Sequence, residues 1–525
     1  MAAAVGMGKN AAKNKLSGIL MVLHIIPTYI LKLTGLRIRT HVADICTALR
    51  LIHCFSTFAA FGGILFGYDT GTIGGIKIMK DWLRTFGHPG TDLISSSTES
   101  LVVSILSAGT FFGALLAAPA GDTLGRKWGI IVANLVFCVG VAMQTASTAI
   151  PLFVVGRVFG GLGVGLVSCL VPMYQSEWYW IRGAVVSVYQ LAITIGQLLA
   201  AIVNNATQLR DNHSSYRIPI AIQFGWAIIL VSGMVFLPES PRWLIKKGRD
   251  DEAAQSLAKL TSLPQNDPEN LLELEDIRAN LRQEQELGEN SYFDCFQSGH
   301  HNRIQLRTLT GIFLQAWQQL TGINFISYYG ATFFQNSGIK NPFVISVITN
   351  VVNVVMTLPG MWGVERFGRR RLLILGAIGM CVSQFVVAII GVTVSVENSS
   401  GQKVLIAFVC VYIAFFASTW GPVAWVITGE IFPLNVRAKA MSMSTASNWL
   451  WNLGSVFFIW GSTCFCCIIF TYVCIPETKG LSLEQIDILY QNATPRKSFA
   501  YRRQLLADVT VQQSVGAKRS SFENV

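Results

Sequence analysis

The chain has 525 residues, of which 52% are apolar and 13% charged, against about 25% charged in a soluble domain. Its net charge of +11 comes without a basic stripe interleaved with aromatics, which argues against a nucleic-acid surface. Its 11 cysteines show no zinc-ligand spacing and mostly lie inside apolar runs, where thiols act as small fillers.

Apolar stretches recur from Leu51 to Ile475. Many approach the roughly 20 residues that cross a hydrocarbon core of about 30 Å. The expectation is an all-α polytopic membrane protein. Residues 1–46 form an atypical N-terminal extension. Its apolar stretch Gly18–Leu31 is short and broken by Pro27; it reads as a signal segment, an interfacial helix or sequence outside the working protein.

Spans follow at about 51–74, 98–120, 128–148, 151–173, 184–204 and 218–237, which places one six-helix bundle in residues 47–237. A hydrophilic, helix-prone linker, 238–304, separates it from spans at about 306–335, 343–364, 371–394, 404–429, 438–454 and 455–475. The second bundle takes residues 305–480, and a polar tail runs from 481 to 525. Six spans, an insert and six more is the pattern of a transporter built from structural repeats.

Lys and Arg concentrate in the breaks after spans 2 and 8, in the linker and in the tail. All of these fall on one side if every span crosses once, so that side is expected to be the cytoplasm, with both termini inside. The sequons at Asn205 and Asn398 then face out, and that at Asn492 faces in and should be idle.

The two halves carry matched charges. After spans 2 and 8 come Gly121-Asp122-Thr123-Leu124-Gly125-Arg126-Lys127 and Gly363-Val364-Glu365-Arg366-Phe367-Gly368-Arg369-Arg370. Glu177 and Arg182 follow span 4, as Glu430 and Arg437 follow span 10. Glu239 and Arg242 lie in Pro238-Glu-Ser-Pro-Arg after span 6, and Pro476-Glu-Thr-Lys-Gly follows span 12. Arg offers a planar fork suited to carboxylates and helix ends. The set Asp122, Arg126, Glu177, Arg182, Glu239, Arg242, Glu365, Arg369, Glu430 and Arg437 is therefore expected to form a cytoplasmic latch holding the halves together.

With Gln318-Gln-Leu-Thr-Gly-Ile-Asn324 and Gly421-Pro-Val-Ala-Trp425, these motifs make the chain resemble a sugar porter of the major facilitator superfamily, similar to fungal hexose transporters, from about Thr47 to Pro495. The resemblance implies two six-helix bundles related by a pseudo-two-fold axis. It also implies monosaccharide uptake by alternating access, coupled to H+, at the plasma membrane, with the lipid bilayer as surroundings, a monomeric carrier and no cofactor. It maps Gln190, Gln318, Gln319, Asn324, Asn353, Trp425 and Asn448 onto sugar-contacting positions.

Read on their own, carboxamides within spans are costly unless paired, and they both give and accept bonds, as sugar hydroxyls require. That reading adds Gln197, two turns from Gln190, and Asn452. An intramembrane acid is a functional candidate by default, and Arg157 is the evident partner of Asp69; the resemblance to proton-coupled sugar porters implies that this pair couples transport to H+. The alternatives are a facilitated-diffusion hexose carrier, a glucose sensor, whose tail is usually longer, and a non-functional truncated carrier. No phosphate-binding Gly-rich loop, His-Glu-x-x-His or serine nucleophile elbow occurs, which argues against an enzyme or a primary pump.

Three places depart from the family. The segment Glu177–Arg182 is short. Residues 438–475 must hold both spans 11 and 12, where two crossings need about 40 apolar residues plus a turn, so span 11 is expected to be truncated just after Asn452 and the two helices cramped. The third departure is the extension 1–46.

Overall fold

A computed structural model describes residues 61–87, 94–176, 182–261, 263–286, 291–296, 303–336, 341–393, 398–433, 436–451, 457–479, 481 and 483–505. Among these residues the chain is helical, and eight helices are long and apolar enough to cross a membrane on their own. The N-terminal extension, Glu177 and Asn452 lie outside the described residues, as do the side chains of Arg182 and Glu365.

The first six spans are a helix at 61–76, then Ser96–Thr123, Arg126–Ala146, Ile150–Ser176, Arg182–Thr207 and Ser214–Phe236. Span 4 is clamped between spans 2 and 3. It comes close because both sides use glycine: a Cβ on Gly140 of span 3 would stand 2.2 Å from the Gly160 nitrogen of span 4. With no hydrophobic drive between helices in lipid, such small-residue contacts supply the packing.

The linker folds as Pro241–Lys246, Asp250–Thr261, Pro268–Glu286 and a 3-10 turn at Tyr292–Phe296. The expected single span 7 is two helices, Ile304–Leu320 and Ile323–Asn336. Span 8 is Pro342–Phe367 and span 9 Arg369–Thr393. Span 10 is also broken, into Ser399–Ser418 and Trp420–Glu430. Spans 11 and 12 are Arg437–Leu450 and Phe457–Cys474, two separate helices. The first has 14 residues, about 21 Å of helix, short of the ~30 Å core.

Both breaks have a cause. Gly322 takes a φ of +90°, a left-handed conformation that glycine adopts freely, and the Trp460 ring of span 12 fills the space a Cβ would need. The carbonyls freed there find side chains: Thr321 O accepts from Gln384 Nε2 (3.1 Å) and Tyr412 OH (2.9 Å), and Leu320 O from Thr463 Oγ1 (2.6 Å). In span 10 the break falls at Thr419 (φ −134°, ψ −82°), just ahead of Pro422, whose missing N–H cannot serve the carbonyl four residues earlier. Irregular backbone at membrane depth persists where the interior re-pairs it.

The halves meet along two matched seams, span 2 on span 11 and span 5 on span 8, with the second helix of span 10 also against span 5. Spans 2 and 8, like spans 5 and 11, are six apart in order, so the seams exchange under the pseudo-two-fold axis. The face bearing the breaks after spans 2 and 8 is called the near face below, and the opposite one the far face.

Candidate functional site

The carboxamides of spans 7 and 11 form one connected knot with backbone carbonyls and a hydroxyl of span 10. Gln318 Nε2 donates to the carbonyls of Trp420 (3.0 Å) and Gly421 (3.2 Å), at the start of the second helix of span 10. Asn448 Nδ2 donates to Gln315 Oε1 (2.7 Å) and Gln318 Oε1 (2.8 Å), tying span 11 to span 7. Gln315 in turn donates to Thr428 Oγ1 at 3.0 Å. Gln319 and Gln318 diverge by about 100° around the axis, yet Gln319 reaches over to Gln318 Oε1 (3.3 Å) and accepts from Asn324 Nδ2 across the break. Gln190 of span 5 lies against Gly421: a Cβ there would sit 3.2 Å from its Nε2. Trp425 is buried, edge-on to Tyr189 with centroids 5.7 Å apart.

A second group lies toward the far face. Asn353 Nδ2 of span 8 donates to Gln197 Oε1 of span 5 at 3.2 Å. Gln197 Nε2 stands 3.5 Å from Ser327 Oγ of span 7. These three line a pocket with Gly71, Gly74, Ile323, Ile326, Ser346, Thr349 and Asn350, between the two halves. The Asn353 Oδ1 is buried there with no bonding partner. Gln190 and Gln197 are seven residues apart on span 5, about 10 Å, so one helix face presents a carboxamide to each group.

Seven residues that the resemblance treats as one set thus divide between a knot (Gln190, Gln318, Gln319, Asn324, Trp425, Asn448) and a pocket (Asn353), which Gln197 shares. Sequence reasoning missed Gln315, Thr428 and Ser327. Gln315 had a readable signal: it precedes Gln318 by three residues, on the same helix face.

Asp69 of span 1 and Arg157 of span 4 are each 1% exposed. One guanidinium nitrogen of Arg157 donates to both carboxylate oxygens, at 3.2 and 3.4 Å, and Gln223 of span 6 is a further partner of the carboxylate. Arg157 Nε and its second terminal nitrogen are buried without partners.

Of the expected latch, seven residues have described side chains, while Glu177 and the side chains of Arg182 and Glu365 lie outside the described residues. Asp122 pairs with Arg126 (3.4 Å) and Lys246 (3.7 Å). Glu239 accepts the backbone N–H of Arg126 (2.9 Å) and Lys127 (3.1 Å). The second half repeats this: Glu477 accepts the N–H of Arg369 (3.0 Å) and Arg370 (3.3 Å), and Arg369 pairs with Glu430 at 2.9 Å. Glu430 also accepts from Thr478 Oγ1 at 2.8 Å, while Arg437 donates to the Gly429 carbonyl at 2.7 Å. Arg242 sits in the short helix after Glu239.

Each of these bonds joins elements of one half, or of the first half and the start of the linker that follows it. The physical reason is that spans 3 and 9 begin after a tight turn, leaving free N–H groups and a positive dipole end that a carboxylate from the close of span 6 or 12 satisfies. Between the halves on this side, Ser442 Oγ donates to Ala114 O (2.6 Å) and the linker's Tyr292 OH donates to Leu115 O (2.6 Å).

Comparison with known proteins agrees with this architecture. The family model for sugar (and other) transporters matches residues 55–490. The major facilitator-type transporter ecdD of Aspergillus rugulosus is 53% identical over 471 residues, covering 83% of this chain and 86% of its own. The probable glucose transporter rco-3 of Neurospora crassa is 47% identical over 469 residues, covering 83% and 78%. A structure of the proton:xylose symporter XylE bound to 6-bromo-6-deoxy-D-glucose superimposes with a TM-score of 0.71 at 26% identity, over 84% of this chain and 99% of that one. These relatives are transporters rather than enzymes. The chain, a multi-pass membrane protein of two six-helix bundles, therefore belongs to the sugar transporter family of the major facilitator superfamily.

Proposed function

We propose that this chain carries a monosaccharide, a hexose such as glucose, across the plasma membrane by alternating access, coupled to the inward movement of H+. The observation that carries the reading is the pocket between the halves, where Gln197, Ser327 and Asn353 join three spans and Asn353 keeps a buried acceptor in reserve. A sugar hydroxyl donates and accepts at once and can take the place of these bonds between spans. A hexose bound there and at the adjoining knot (Gln190, Gln318, Gln319, Asn324, Asn448, with Trp425 behind) would touch both halves. A ligand that makes contacts to both halves favours the closed arrangement over either open one.

Coupling would run through Asp69. A buried carboxylate beside an arginine is stable as an ion pair; once protonated it releases the guanidinium, and the packing of spans 1, 4 and 6 can change. The basic near face would lie in the cytoplasm, with both termini. Span 11, at 14 residues, would be a shortened crossing whose far-face half is reduced.

The test is uptake of labelled glucose by yeast lacking its own hexose carriers, with and without a protonophore. The expected result is uptake that the protonophore abolishes. Undiminished uptake would mean facilitated diffusion. No uptake by a correctly inserted chain would overturn the carrier reading and favour a sensor or a non-transporting product.

A further inference from the structure

The near-face corner formed by spans 8, 9 and 12 gathers positive charge from three separate stretches of chain: 366–371, 495–497 and 502–503. The stretch after span 12 is not loose there. Ser498 Oγ accepts the N–H of Glu477 at 3.1 Å and donates to Pro495 O at 2.6 Å, and Arg502 Nε donates to Lys479 O at 2.5 Å. Arg370 fastens it from below, donating to Pro495 O (2.8 Å) and to Tyr472 O (2.6 Å).

Two aromatic rings then order the guanidinium groups. Arg370 and Arg496 lie 5.1 and 5.5 Å from the Tyr472 ring centre, and Arg370 and Arg371 lie 5.8 and 5.1 Å from that of Phe499. Arg371 and Arg496 have exposed side chains at these rings, and Lys497 and Arg503, in the same stretch as Arg496, are exposed as well. The carboxylate of Glu477 is already occupied with the N–H groups of Arg369, Arg370 and Lys479. Orienting the chain in a membrane needs basic residues on one side but does not need them pinned next to one another. Ordered like charges repel, and an anion of more than one charge set among them relieves that repulsion.

The rim of the corner points to the source of such an anion. Trp362, Phe367, Tyr472 and Val473 are exposed, and Trp362 meets Phe367 edge-on at 5.6 Å. Exposed aromatics at a helix end mark headgroup depth, so the corner borders lipid rather than open solvent.

We propose that the Arg371–Arg496–Arg503 corner, built on Tyr472 and Phe499, is a binding site for a polyanionic membrane lipid headgroup, a phosphorylated inositol lipid. Arg371, Arg496 and Arg503, with Lys497, pair with its phosphates, while its acyl chains run along Tyr472 and Val473. A bound lipid would fasten the stretch after span 12 to the ends of spans 9 and 12.

The experiment titrates the purified full-length protein in neutral detergent micelles with fluorescent phosphatidylinositol bisphosphate. Saturable binding is expected, and Arg371→Gln with Arg496→Gln should weaken it about 25-fold, from about fivefold per basic side chain at a membrane surface. Sugar-dependent thermal stabilisation should persist in that variant, which establishes that it folds. Arg249→Gln with Arg278→Gln, basic residues of the linker elsewhere on the near face, should leave lipid binding unchanged. Equal binding by the corner variant, or an equal loss in the linker variant, overturns the site. Binding of soluble inositol trisphosphate as tight as that of the lipid overturns the lipid as its ligand.

Discussion

Asp69 and Arg157 set a sharp condition at the scale of single residues. Two buried charges hold each other, and removing one leaves the other uncompensated, at about 3–5 kcal/mol. Asp69→Asn is the informative substitution, since a carboxamide has the shape of the protonated acid and keeps a bonding capacity toward Arg157 and Gln223. If Asp69 carries the coupling proton, this variant in proteoliposomes should lose proton-driven accumulation of sugar and keep exchange of labelled for unlabelled sugar. Accumulation equal to the parent's would place the coupling elsewhere. The pair was legible in the sequence, because a lone acid and a lone arginine inside apolar runs have little else to meet. The knot was only partly legible. Gln318, Gln319 and Asn448 announce themselves as polar residues in spans, but that Gln318 spends its donor on the Trp420 and Gly421 carbonyls depends on the break in span 10.

At the scale of elements, those breaks were hidden because hydropathy measures apolarity and not backbone continuity. Leu320 to Ile326 and Ala417 to Ile427 read as unbroken crossings, and they become helix pairs because Gly322 and Pro422 interrupt the backbone ladder while side chains from neighbouring spans take up the Leu320, Thr321 and Trp420 carbonyls. The duplicated near-face turns were legible in residue type, as a set of matched charges. That Glu239 and Glu477 cap the starts of spans 3 and 9 was not legible, because it depends on the tight turns that bring those N–H groups together. Gly125 and Gly368 have φ of +90° and +89°, and a Cβ on either would come within 2.4 or 2.5 Å of the capping oxygen of Glu239 or Glu477. Their ψ values of 169° and 165° place both in a region that only glycine adopts readily, so alanine at each should carry a penalty of about 1–3 kcal/mol and also displace the carboxylate. Gly125→Ala and Gly368→Ala should lower the thermal midpoint of the purified protein alike, and more than Gly391→Ala, where a Cβ meets nothing within 4 Å. A midpoint unchanged in the first two would mean that the caps are dispensable.

For the whole molecule, what matters is that the halves touch each other near both faces. On the far face, Lys77, at the end of span 1, stands 3.7 Å from the centre of the Tyr329 ring of span 7 and 2.7 Å from Glu99 of span 2. On the near face, Ser442 and Tyr292 hold the backbone of span 2. The pocket of Gln197 and Asn353 lies between, so alternating access requires these two sets of contacts to yield in turn. Weakening one should shift the population toward the opening it controls. Lys77→Met removes a cation–π contact worth about 0.5–2 kcal/mol, a few-fold to about 30-fold in population, whereas Ser442→Ala acts on the other face. The readout is a reporter thiol at the pocket-lining Ser346, introduced as Ser346→Cys in a background whose exposed Cys466 is replaced by serine. A membrane-impermeant maleimide should label it faster from the far side in the Lys77→Met protein and faster from the near side in the Ser442→Ala protein, and added sugar should slow both. Labelling that rises from both sides in one variant would mean that the halves have come apart rather than rocked, and rates unchanged in both would show that the controlling contacts lie elsewhere along the two seams.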